Sequence, residues 1–233
     1  MNLLAIDSAS SILSIAAAKG EDIHCSHTEA EMKHSQIVME CIESQMKKAE
    51  LKPNELDGVL CMGGPGSFTG LRIGYSIAKG LALCLSIPFA PVPTLDCVAF
   101  SCRGGGPVLA VIEAVKNAYF FAFYRDGGQL KPAEDGTASK IAGEIDGFIK
   151  AGTEKITITG PGSASLYDSL SPEQKGKTVL FHENRGYAGE IISIAKIRKI
   201  PDNNITAFLY SGPEYIRKTD AEINLSGSAG NKK

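Results

Sequence analysis

Gly63-Gly64-Pro65-Gly66-Ser67-Phe68-Thr69-Gly70-Leu71-Arg72-Ile73-Gly74 is the stretch from which the fold is read. It follows a short apolar run at residues 58–62 and leads into a helical pattern over about 71–86, so strand, glycine turn and helix come in order. It is not a P-loop, because no Gly-Lys-Ser/Thr follows the first glycines, and its spacing is not Gly-x-Gly-x-x-Gly. The structural motif spans Gly63, Gly64, Pro65, Gly66, Ser67, Phe68, Thr69, Gly70, Leu71 and Arg72. Glycines permit the positive φ of a tight turn, and Ser67 or Thr69 is placed to cap the helix, whose free amides form an anion site. Gly64, Gly66, Ser67 and Thr69 are therefore candidate nucleotide or phosphate contacts. For the glycines alone, a simple turn from strand to helix is a strong alternative.

Upstream, residues 3–7, 12–18 and 23–28 read as a meander of three strands with a turn at Lys19-Gly20-Glu21-Asp22. Residues 33–50 switch to helical spacing, with Ile37, Val38, Cys41, Ile42, Gln45, Met46 and Ala49 on one stripe. Downstream, Gly104-Gly105-Gly106-Pro107 marks a boundary, after which the opening pattern returns. Ala110-Val111-Ile112-Glu113 repeats Leu4-Ala5-Ile6-Asp7, and strands at 118–124 and 129–131 flank Asp126-Gly127-Gly128. A helix near 140–151, strands at 155–160 and 178–181, and a helix at 188–199 complete that half. Repetition at half the chain length implies duplicated α/β units rather than a solenoid. The lobes read as 1–103 and 104–204, and the small, polar tail 226–233 reads as disordered.

The composition fits a folded soluble protein: 233 residues, 43% hydrophobic and 21% charged. A formal net charge of −2 supplies no field that would hold RNA unaided. The opening residues lack a basic stretch, and Asp7 interrupts the first apolar run, which argues against an export signal. No run approaches the ~18 apolar residues of a membrane span. Six scattered cysteines with no Cys-x-x-Cys pair suit a reducing, cytoplasmic setting. His24, His27, His34 and His182 have no ligand spacing, so no metal site is expected. Gly66-Ser67-Phe68-Thr69-Gly70 is not the Gly-x-Ser-x-Gly of a serine hydrolase.

The stretch from Gly64 to Gly74, with Ala78-Lys79-Gly80-Leu81-Ala82 beyond it, resembles the signature shared by the TsaB (YeaZ-type) family and its catalytic paralogue TsaD, and its Ser-Phe-Thr-Gly-Leu-Arg form is closer to TsaB. Leu4-Ala5-Ile6-Asp7-Ser8-Ala9, His34-Ser35 and Pro213-Glu214-Tyr215-Ile216-Arg217 match in the expected order. The resemblance implies an α/β, duplicated actin-like or sugar-kinase-type ATPase (ASKHA) fold with two related lobes, and a C-terminal segment at about 205–225 that returns to the first. It places Asp7 and Ser8 at a phosphate-facing turn, where ATPases use a carboxylate to organise metal and water. The alternative is that Asp7 only ends its strand and accepts backbone hydrogen bonds.

The resemblance further implies a non-catalytic, scaffolding subunit of the complex that makes threonylcarbamoyladenosine on tRNA, in the company of TsaD, the ATPase TsaE and, through the complex, tRNA. It implies no cofactor of its own, with ATP or ADP bound in the complex. The metal-binding histidines of the paralogue correspond here to Thr94 and Val98, in Thr94-Leu95-Asp96-Cys97-Val98, and neither is a metal ligand of that kind. A family Asp-Ala-Arg is replaced by Glu113-Ala114-Val115, with Lys116 beside it. Other readings are an autonomous ATP-dependent small-molecule kinase or ATPase and, less well supported, a glycoprotease-like peptidase. The partner surface is expected on the first two helices, from His34, Val38, Cys41 and Ile42 and from the small-residue strip Gly74, Ala78 and Ala82, with Ile73, Ile77 and Leu81 facing the chain's own sheet. The same surface would serve a homodimer in isolation.

Overall fold

The computed structural model describes residues 1–30, 33–102, 106–114, 117–153, 155–183, 185–200, 210–214 and 216. Its first sheet contains β1 (Leu3–Asp7), β2 (Ile12–Lys19), β3 (Asp22–Glu29), β4 (Gly58–Met62) and β5 (Phe89–Val92) in the order β3-β2-β1-β4-β5. The first three form an antiparallel meander, and β4 and β5 continue the sheet parallel to β1. Helices α1 (His34–Lys48), α2 (Phe68–Leu85) and α3 (Thr94–Ser101) belong to this half of the sequence.

The second sheet is built from β6 (Val108–Glu113), β7 (Ala118–Arg125), β8 (Gly128–Gln129), β9 (Glu134–Thr137), β10 (Ile156–Thr159) and β11 (Thr178–Phe181). Its order is β11-β10-β6-β7-β8, with β9 also on β7. Helices α4 (Ala138–Lys150), α5 (Ser163–Ser169), α6 (Pro172–Gly176) and α7 (Ala188–Arg198) complete the described elements. Taken from its own first strand, each sheet runs antiparallel to its second strand on one side and parallel to two later strands on the other. This is one topology used twice, the actin-like arrangement.

The strand sequences explain the layering. In β1, Leu4 and Ile6 face one way, into a cluster with Val38, Ile42 and Met46 of α1 and Tyr75, Ala78 and Ala82 of α2. Leu3 and Ala5 face the other, toward Ile191, Ile192 and Ala195 of α7 and Leu95 and Val98 of α3, and this cluster continues into Val108, Ala110 and Ala122 of the second sheet. A strand buried on both faces reads as a continuous apolar run, which is what residues 3–6 present. The outer face of the second sheet packs Leu109, Val111, Phe121 and Phe123 against Ile141 and Ile145 of α4. Helices α3 and α7 therefore form a shared layer between the sheets.

Within that layer Asp96 is the polar fastening. Its Oδ1 accepts from Tyr124 Oη at 2.7 Å and its Oδ2 from Arg198 at 2.6 Å, so one carboxylate ties α3 to β7 and α7. Helix α7 falls in the second half by sequence, and it packs on β1, β2 and β4 of the first sheet. The strands β5 and β9 and the helices α3, α5 and α6 were not read from the sequence. Three prolines around β5 (Pro88, Pro91, Pro93) obscure it, and the three helices are short. Among residues 210–214, Glu214 N donates to Gly63 O at 2.8 Å. Residues 205–209, 215 and 217–225, the tail 226–233 and Val115-Lys116 lie outside the described residues. None of the described helices is long and apolar enough to cross a membrane.

Candidate functional site

The glycine turn joins β4 to α2 and is enclosed by backbone. Gly63 N donates to Val92 O at 2.7 Å, Thr94 N to Gly64 O at 2.8 Å and Ser67 N to Ala9 O at 2.8 Å. Gly64 has φ +108°, and a Cβ there would lie 2.5 Å from Glu214 O. Gly66 is not among the positive-φ residues; a Cβ on it would lie 2.9 Å from the Ala9 Cβ and carbonyl oxygen. Its glycine is required by close approach, not by left-handed backbone.

Helix α2 begins at Phe68, three residues before the position read from the sequence, because Ser67 is its N-cap and accepts from Gly70 N at 3.2 Å. Thr69 is exposed within the first turn and is not the cap. Ser8 is buried; its Oγ donates to Gly70 O at 2.8 Å, its carbonyl oxygen occupies the space of a Cβ at Gly70, and its Oγ lies 2.6 Å from the Cβ position of Gly74. The turn after β1 is thus seated in the first turns of α2. Gly64, Gly66, Ser67 and Ser8, read as phosphate contacts, spend their special properties on this joint.

Asp7 is 2% exposed. Its Oδ1 accepts from Ala9 N at 3.0 Å and its Oδ2 from Tyr187 N at 2.8 Å, where α7 begins. Burial pushes its carboxyl up to about 6, against the two amide donors that lower it, while the charge of Glu190 raises it slightly. Gly186 comes so close that a Cβ there would lie 3.2 Å from Asp7 Oδ2. Alongside, Arg185 binds both oxygens of Glu190, at 3.0 and 2.7 Å, and reaches Glu183 at 2.9 Å. The carboxylate faces the entry to α7, the arrangement of the alternative reading, and both oxygens are engaged.

The segment Thr94-Leu95-Asp96-Cys97-Val98 does not suit a metal. Val98 is fully buried, with its Cγ1 2.7 Å from the Cβ position of Gly160, and Thr94 is buried with a backbone bond to the glycine turn. Asp96 is committed to Tyr124 and Arg198, and burial raises the Cys97 thiol well above its ordinary range, away from the thiolate a metal needs. Among the described residues no group of three His, Cys, Asp or Glu is placed to hold a metal ion.

The residues expected on the partner surface are mostly core. His34, Val38, Ile42, Gly74, Ala78 and Ala82 are buried within the first lobe, with only Cys41 half-buried. The small strip on α2 lets that helix approach its own sheet, with Gly74 beside Ser8 and Ile6. Ile73, Ile77 and Leu81, expected to face inward, are half-exposed instead. A site missed by sequence reading is Gly160-Pro161-Gly162-Ser163, between β10 and α5, which repeats Gly64-Pro65-Gly66-Ser67 between β4 and α2. Gly160 also has φ +108°, and a Cβ on Gly162 would lie 2.6 Å from Glu113 N, as Gly66 meets Ala9. The repeated tetrapeptide was the available signal.

Two outcomes follow from this geometry. Gly70→Ala should destabilise the chain by about 1–3 kcal/mol through forced separation of Ser8 and α2, whereas Gly80→Ala, with open space at its Cβ, should stabilise it by about 0.5–1 kcal/mol; urea unfolding of both variants checks the pair. For Asp7, a folded-state value of about 6 against an ordinary 3.8 means its contribution is fully present below 3.8 and is lost as pH rises through 6. The stability of the parent relative to Asp7→Asn should therefore be greater at pH 4.5 than at pH 7.5, by roughly 1–3 kcal/mol. A constant or reversed difference in urea unfolding at the two pH values would remove the buried-carboxylate account.

The model of the family described as TsaD: tRNA N6-adenosine threonylcarbamoyltransferase matches residues 21–181. The chain is 32% identical over 126 residues to the tRNA threonylcarbamoyladenosine biosynthesis protein TsaB of Haemophilus influenzae, covering 52% of this chain and 53% of that protein. It is 30% identical over 127 residues to TsaB of Bacillus subtilis, covering 54% and 56%. These matches span about half the length of the curated relatives. In fold, the chain is similar to YeaZ from Pseudomonas aeruginosa, with TM-score 0.73 at 20% identity over 85% of this chain and 92% of that one. Given a family match that runs from the start of β3 through the last strand of the second sheet, the chain belongs to the TsaD family of tRNA N6-adenosine threonylcarbamoyltransferases, and its likeness within that family is to TsaB.

Proposed function

We propose that this chain is a scaffolding and activating subunit, not the catalyst, in the cytoplasmic assembly that forms threonylcarbamoyladenosine on tRNA. It pairs with the catalytic paralogue TsaD, joins the ATPase TsaE, and meets tRNA through the complex. The observation that carries this reading is the fate of the metal-binding segment: Thr94 and Val98 lie in the interlobe core, where Val98 packs against Gly160. Likeness to proteins named TsaB supports the same choice over the catalytic branch. The enclosed glycine turn and the doubly bonded Asp7 favour ATP or ADP entering with the partners rather than on this chain alone.

The partner surface is the outward side of α1 and α2. Ile37 and Cys41 of α1 and Ile77 and Leu81 of α2 lie half-buried over one core cluster, and Met39 stands 52% exposed nearby in sequence. An apolar helix face of this kind suits knobs-into-holes packing with helices of a partner or, in isolation, of a second copy. The test is reconstitution of tRNA modification from TsaD, TsaE, tRNA and threonylcarbamoyl adenylate, with this chain, without it, or with Ile77→Asp. The chain alone should transfer nothing, its addition should activate TsaD, and Ile77→Asp should lower TsaD binding at least tenfold, roughly 1.4 kcal/mol, with unfolding unchanged. Transfer by the chain alone, or full activation by Ile77→Asp, would overturn the reading.

A further inference from the structure

Helices α3 and α7 both begin at the site already described, where Thr94 N donates to Gly64 O and Tyr187 N to Asp7 Oδ2. At the far ends of the same two helices the layer between the sheets opens into a cavity of about 440 Å³. Cavities of roughly 300–1,000 Å³ hold small organic ligands. The apolar wall is made by Phe100 of α3, Val108 of β6, Tyr124 of β7 and Ile194 of α7. Ile197, which also lines the cavity, is 69% exposed and so stands at its mouth. Both lobes contribute to this wall, at the end opposite the glycine turn.

The charged groups on the wall are Asp96, Arg125, Asp126 and Arg198. Both oxygens of Asp96 are engaged, one by Tyr124 and one by Arg198. Arg198 spends only Nη1 on that bond; its Nε and Nη2 make no hydrogen bond among the described residues, and its side chain is 45% exposed. A guanidinium carries five N–H donors in one plane, so it can hold Asp96 and still offer an edge to a second carboxylate. Arg125 is exposed at the end of β7 and has no ion-pair partner among the described residues, and the same is true of Asp126 beside it. The carbonyl ends of α3 and α7 would oppose an anion. Those last turns are closed by Cys102 N on Ala99 O, Lys199 N on Lys196 O and Ile200 N on Ala195 O, and Arg198 is itself the last residue of α7.

We propose that this cavity binds a small carboxylic acid with an apolar body. The body lies among Phe100, Val108 and Ile194, and the carboxylate takes the open edge of Arg198, with Arg125 adding attraction at the mouth. The engagement of Asp96 decides the sign of the ligand. A cation would meet two guanidinium groups with only Asp126 free to balance them, and an uncharged body would leave the edge of Arg198 without an acceptor. Because α3, α7 and β7 all supply wall, a bound acid bridges the lobes beside the Asp96 fastening and stabilises their arrangement by linkage. The Nη1 bond from Arg198 to Asp96 is left in place.

Isothermal titration of the full chain with decanoate, decanol and decyltrimethylammonium, each below its micelle concentration, tests the ligand class. Decanoate should bind about tenfold or more tightly than either of the others. Arg125→Glu should weaken decanoate and Asp126→Asn should strengthen it, with decanol moved by neither; both positions are exposed, so these variants keep the fold. Ala99→Phe fills the cavity and should abolish binding, with thermal unfolding as its control. Decanoate should also slow alkylation of Cys102, half-buried in the cavity wall, by N-ethylmaleimide and leave that of Cys84, exposed on α2, unchanged. That protection locates the site even where Ala99→Phe does not fold. Absence of decanoate binding, equal or tighter binding of decanol or decyltrimethylammonium, affinity unmoved by Arg125→Glu, binding retained by a folded Ala99→Phe, or an unprotected Cys102 would each overturn the proposal.

Discussion

The contact between Ser8 and the start of α2 is the constraint on which the first lobe is assembled. Three features of the chain have to agree for it to form: a small residue after β1, glycines at positions 70 and 74, and a serine at 67 to begin the helix early. Once it forms, β4 lies parallel to β1, α2 lies flat on the sheet through Gly74, Ala78 and Ala82, and the glycine turn closes over Ala9. A single methyl at Gly70 would separate these parts, which is why a turn that resembles a ligand cradle in sequence is occupied by protein in three dimensions.

The second lobe repeats the solution with different amounts of material. Gly160-Pro161-Gly162-Ser163 stands after β10 as Gly64-Pro65-Gly66-Ser67 stands after β4, but the following helix has 7 residues in place of 18. Between the two sheets, Thr94-Leu95-Asp96-Cys97-Val98 supplies Val98 as packing and Asp96 as a fastening to Tyr124 and Arg198.

The alternation and length of apolar runs made β1, β4 and β11 legible to the residue, and helical spacing located α1, α4 and α7 to within a few residues. What failed was the assignment of faces. On α2 the small residues looked like a strip for a partner and Ile73, Ile77 and Leu81 like the core, because burial was inferred from side-chain size. The sheet reversed this: where α2 is pressed against the Ser8 contact, Gly74 is followed on the inward side by Ala78 and Ala82, with Leu71 and Tyr75 buried beside them, and Ile73, Ile77 and Leu81 sit at the half-exposed margin. Periodicity says which residues share a face, and only the tertiary contact says which face is inside. Asp7 was likewise read as a strand end or a phosphate-facing carboxylate, and the deciding donor, Tyr187 N, lies 180 residues away in sequence.

Amide hydrogen exchange at Ser67, Thr94 and Tyr187, with and without Mg-ATP, addresses the central claim most directly. These three amides donate to Ala9 O, Gly64 O and Asp7, the bonds that close the glycine turn and the strand end beside it. In a protein whose turn is a structural joint, all three should exchange only through large-scale unfolding, at rates that Mg-ATP leaves unchanged. Rapid exchange in the free chain, slowed on addition of Mg-ATP, would show a nucleotide cradle that closes on its ligand and would contradict the sealed joint described here.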